Sequence, residues 1–85
     1  MYKNRTEDGK NNVSGEKIAY LRNQLKEKTS QRQFAEMLQR AGLDVDKNAI
    51  QRMEAGKRFI TDIEIRIIAE VLNVTIEELI EPLPL

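Results

Sequence analysis

Lys47, Asn48, Gln51 and Arg52 lie within the stretch DVDKNAIQRME, residues 44–54, and carry the cations and side-chain amides that pair with base edges. Asn and Gln match the donor and acceptor of adenine, while Arg and Lys match O6 and N7 of guanine. The same stretch also offers a second chemistry. Asp44, Asp46 and Asn48 spell D-x-D-x-N, the opening of a calcium loop in which side-chain oxygens ligate the ion. Such a loop needs glycine at its sixth position and a bidentate glutamate at its twelfth. Here those positions hold Ala49 and Ala55, and Glu54 falls one place short. Ala, Ile, Gln, Arg, Met and Glu behind Asp46 also favour helix over loop. The metal reading is therefore set aside, with Asp46 taken as a helix cap and Asp44 as a solvated turn residue.

A helix presents those four side chains together only if its other side is anchored. Ile50 and Met53, at i and i+3, supply an inward edge for a helix over residues 47–55, and Gly56 supplies its stop. Four further elements surround it. Ile18, Leu21 and Leu25 recur at helical spacing in EKIAYLRNQLKEK, with Glu16 in the first turn. Ser30 and Gln33 match a capping box that opens a second helix, in which Phe34, Ala35 and Leu38 point inward and Gly42 ends the run. Thr61 and Glu64 open a fourth helix closing near Asn73, and Thr75 with Glu78 opens a short fifth helix halted by Pro82. No strand signal competes. The fold class is all-α, a compact five-helix bundle. Residues 1–14 are polar and without periodicity, which predicts a flexible arm; residues 15–81 form the domain and 82–85 a tail.

Composition narrows the function classes. With 85 residues there is room for one small core. The chain has no cysteine and no histidine, which removes thiolate metal sites, disulfides and the commonest acid/base catalyst. No glycine-rich phosphate loop appears either, so an enzyme is not expected and no cofactor is implied. No apolar run approaches membrane-spanning length and the amino terminus lacks an apolar signal region, so the expected location is the cytoplasm. Net charge is zero, but the sum hides an asymmetry. Residues 1–58 hold thirteen Lys/Arg against eight Asp/Glu, and residues 59–85 hold one against six. One half can face a polyanion while the other turns away, although an ordinary solvated surface accounts for the same count.

YLR, SQRQFAEML, AIQRMEAGKR and IIAEVLNVTIEELI, in that order, resemble the Cro and phage-repressor type of helix-turn-helix domain, the Xre family, over residues 15–81. The resemblance implies a lambda-repressor-like bundle whose second and third helices form the DNA-binding motif. It places Lys47, Asn48, Gln51 and Arg52 on the base-reading face, and gives Gln31, Lys57 and Arg58 to the DNA backbone. It further implies a structural pair, Arg22 with Glu54, that keeps an acid near the DNA surface from repelling phosphate. One departure stands out. Gln31 to Ile50 spans nineteen steps, against about fourteen commonly, so the second helix and the following turn are both expected to be longer, with Leu43 or Val45 plugging the core.

One module of this kind covers only about 600–1,000 Å², so site-specific binding generally takes two copies on a palindromic operator. Helix four offers a surface for pairing. Beside its inward stripe of Ile65, Ile68, Ala69 and Leu72 runs a second, Ile63, Ile67 and Val71, which with Ile76 and Ile80 predicts a homodimer interface. The expected function is sequence-specific double-stranded DNA binding by a small repressor or autoregulator. The alternative is a protein-interaction module on the same fold, an antitoxin or adaptor, with DNA binding weak or secondary.

Overall fold

Three helix ends share one closing geometry, and each follows from a residue able to take positive φ. The computed structural model describes residues 5–25 and 27–81. It contains α1 (Gly15–Asn23), α2 (Gln31–Arg40), α3 (Lys47–Glu54), α4 (Asp62–Leu72) and α5 (Ile76–Ile80), with no strand among the described residues. After α2, Gly42 has φ 98°, and the N–H groups of Gly42 and Leu43 reach back to the carbonyls of Gln39 and Leu38. After α3, Gly56 has φ 77°, and Gly56 and Lys57 repeat the pattern on Met53 and Arg52. Asn73 does the same for α4 at φ 58°, an αL position that asparagine tolerates.

The helix starts are equally local. Ser30 with Gln33 and Thr61 with Glu64 form complete capping boxes. Asp46 accepts from the Ala49 N–H at 2.8 Å, and Thr75 accepts from Glu78. Each satisfies a backbone donor that has no partner within its helix. Ser14 makes no such bond for α1; Asn12 Oδ1 accepts from the Gly15 N–H instead, at 2.8 Å.

Ile18 from α1, Phe34 and Leu38 from α2, Ile50 and Met53 from α3, Ile68 from α4 and Leu79 from α5 are fully buried. Every helix thus contributes to one core. The long α2–α3 connection enters it as well: Val45 is buried, Leu43 packs at the edge, and Gln39 Nε2 donates to the Val45 carbonyl at 2.7 Å. The wide turn is thereby braced.

Two expectations need revision. Residues 11–14 do not hang free as part of an arm. Asn11 and Asn12 bond to the segment after α3, and Ser14 is buried. The second stripe of α4 is not a separate outer surface either: Ile67 and Val71 are half-buried against the core. The reason is that α4 packs on both α2 and α5, so its apolar sector must be wide. Ile63 stays 69% exposed, and Ile76 and Ile80 are also exposed. The tail at 82–85 lies outside the described residues.

Candidate nucleic-acid interface

At 100° per residue, Lys47, Gln51, Asn48 and Arg52 occupy an arc of about 140° on α3, and Ile50 and Met53 lie on the opposite side. The structure follows this division. Ile50 and Met53 are inaccessible, while all four polar residues are exposed. None of the four makes a side-chain hydrogen bond or ion pair within the described residues.

Glu54 closes the helix and is fully engaged. Arg22 Nε lies 2.8 Å from its Oε2 and Nη2 lies 3.0 Å from Oε1, a two-pronged pair joining α1 to α3. The same Oε1 accepts from Gln31 Nε2 at 2.9 Å, and Arg22 Nη1 donates to the Thr29 carbonyl at 2.7 Å. The Arg22 and Glu54 side chains are only 12% and 7% exposed. Three donors on one shielded carboxylate neutralise an acid at the foot of the polar face. Gln31, expected at the DNA backbone, has its amide group turned to Glu54, a link that sequence spacing gave no hint of.

Lys57 is exposed, directly beyond the end of α3. Arg58 is placed differently from the expectation of a phosphate contact. Its Nη1 and Nη2 lie 3.0 and 2.9 Å from the two Glu64 oxygens, and Nη1 also donates to the Phe59 carbonyl. Glu64 Oε1 accepts in addition from the Thr61 N–H at 2.9 Å, so one carboxylate serves both the capping box and the ion pair. Most of this guanidinium is committed within the chain.

The pairing moves both groups. The Arg58 hydrogen bonds, above all, hold the Glu64 carboxyl below the ordinary glutamate value of 4.5, against an opposing push from burial. Glu64 in turn raises the Arg58 guanidinium. A carboxyl depressed on folding contributes stability above its unfolded value, which is lost as pH falls through the folded one. Glu64→Gln, which retains a cap acceptor, should therefore lower stability at neutral pH, with the gap from the parent closing below about pH 4.5. Urea melts across that range check it; a gap constant into acid would assign the loss to something other than this charge.

Among the described residues no helix is long and apolar enough to cross a membrane. Comparison with curated proteins and with solved structures gave no match. A helix-turn-helix family model matches residues 18–79, which runs from the core of α1 to the buried Leu79 of α5 and takes in the whole polar face of α3. That family is regulatory, not enzymatic. With α2 and α3 arranged around the braced turn and α3 displaying its donors outward, the chain belongs to the Cro/C1-type, Xre-like helix-turn-helix family of DNA-binding regulators.

Proposed function

We propose that the protein is a repressor or autoregulator that reads double-stranded DNA by seating α3 in the major groove. The observation that carries this reading is the split of α3 into a fully buried anchor and four exposed, unengaged side chains of base-reading type. Lys47, Asn48, Gln51 and Arg52 contact base edges. Lys57 meets the phosphate backbone, with Gln31 and Arg58 contributing there only through atoms not already bonded. Arg22 and Glu54 hold the helix in place.

The protein acts as a homodimer on a palindromic operator. Exposed Ile63, Ile76 and Ile80, with the half-buried Ile67 and Val71 on the same helix as Ile63, support a twofold contact. Selection of bound sequences from a random DNA pool tests this, since a dimer yields inverted half-sites and single unpaired half-sites would exclude it.

Competition binding on the selected site tests the reading face. A Lys47→Ala, Arg52→Ala variant should keep its fold and lose roughly a hundredfold in affinity for that site, because each bidentate base contact contributes about 1–3 kcal/mol of discrimination. Lys57→Ala should weaken all sequences alike and reduce the salt slope by about one. An unchanged preference in the folded double variant would sink the assignment.

A further inference from the structure

The end of α3 is held by a segment whose sequence reads as disordered. Asn12 Nδ2 donates to the Met53 carbonyl at 3.1 Å and to the Arg58 carbonyl at 2.7 Å, and its Oδ1 accepts from the Gly15 N–H. Asn11 donates through its backbone N–H to the Gly56 carbonyl at 2.8 Å and through Nδ2 to the Lys57 carbonyl at 3.0 Å. Two consecutive asparagines thus engage four carbonyls between residues 53 and 58.

We propose that Asn12, assisted by Asn11, is a positioning residue for DNA reading: it fixes the carboxy-terminal end of α3 against the start of α1 and so sets where the reading face is presented. The inference rests on the proposed major-groove role of α3. The amino-terminal end of α3 is already fixed by the Asp46 cap and by buried Val45. At its other end Met53 is buried and Glu54 is tied to Arg22, and the asparagines add bonds to the Met53 carbonyl and to those of the residues that lead the chain out of the helix. An amide suits the Asn12 position because its two N–H groups and one oxygen match two carbonyls and one N–H. Aspartate has no donor for either carbonyl, and serine does not reach them. Productive contacts tolerate displacements of only about 0.5 Å, so freeing this end should impair base reading before it impairs phosphate contact.

Asn12→Ser in the full chain separates these effects. Its hydroxyl can still accept from the Gly15 N–H, an arrangement serine commonly adopts, while both carbonyl bonds are lost. Affinity for the selected site should fall about tenfold, with affinity for a scrambled duplex within about twofold and the salt slope unchanged. Amide exchange at Gly56 and Lys57 should quicken while that of α2 holds. If Asn12→Ser fails to fold, Asn11→Ala, which frees the Lys57 carbonyl, should weaken the selected site about threefold and a scrambled duplex by less, since only the selected site also depends on where α3 is aimed. Equal weakening on both duplexes, or full retention of the selected-site preference, would overturn the proposal. A parent protein with no preference for any duplex would instead remove the major-groove reading itself.

Discussion

Arg22→Ala should destabilise the protein by about 3–5 kcal/mol, the usual cost of leaving a buried charge without its partner. Glu54 is 7% exposed and would keep only the Gln31 amide, a single neutral donor, against a carboxylate that now has three bonds. A folded chain of this length holds on the order of 4–13 kcal/mol in total, so the variant loses a large share of it. The origin of the cost can be isolated. If it is the stranded charge, replacing both residues by apolar ones of similar volume, Arg22→Met with Glu54→Leu, should restore most of the stability. Urea melts of the two single variants and the double complete the cycle. A loss below about 1 kcal/mol for Arg22→Ala would mean that the pair behaves as an exposed one.

Gly15→Ala is the second large effect, and its sign is the informative part. At the first position of a helix, alanine ordinarily stabilises relative to glycine by up to about 1 kcal/mol. Here an added Cβ would clash with the Met53 carbonyl oxygen and stand 3.1 Å from that of Glu54 and 3.0 Å from Asn12 Oδ1. The obstacle is backbone, which cannot rotate aside, so α1 must withdraw from the last turn of α3. Overpacking typically costs about 1–3 kcal/mol where side chains can adjust, and this contact should reach or exceed the top of that range. A melting temperature unchanged or raised in Gly15→Ala would show that the two helices do not approach this closely.

What could be read from the residues alone, and what could not, divides along a physical line. Capping by Ser30, Asp46, Thr61 and Thr75, and termination by Gly42, Gly56 and Asn73, depend on neighbours within a few residues. Their spacing therefore announces them, and the inward faces of α2 and α3 follow from periodicity. Only family resemblance, not spacing, pairs Arg22 with Glu54. The bonds of Asn12 to Met53 and Arg58 cross more than forty residues and end on backbone carbonyls, leaving no periodic trace. The Arg58–Glu64 pair bridges a loop, and Gln31 turns inward because α2 begins beside the end of α3, a fact of packing. Periodicity alone sets Ile67 and Val71 outside a single core face of α4, but in the folded chain α4 contacts α2 and α5 together.

The separation of duties within α3 has an evolutionary consequence. Ile50 and Met53 are buried and Glu54 is ion-paired, whereas Lys47, Asn48, Gln51 and Arg52 are exposed and make no side-chain hydrogen bond or ion pair among the described residues. These sets do not overlap, although they alternate along one helix of eight residues. Under the proposed reading role, the four outer residues can be exchanged and new targets acquired without first accumulating compensating changes in the core. The same independence makes the helix an interchangeable cassette, whose outer face can be rewritten while its anchor stays constant.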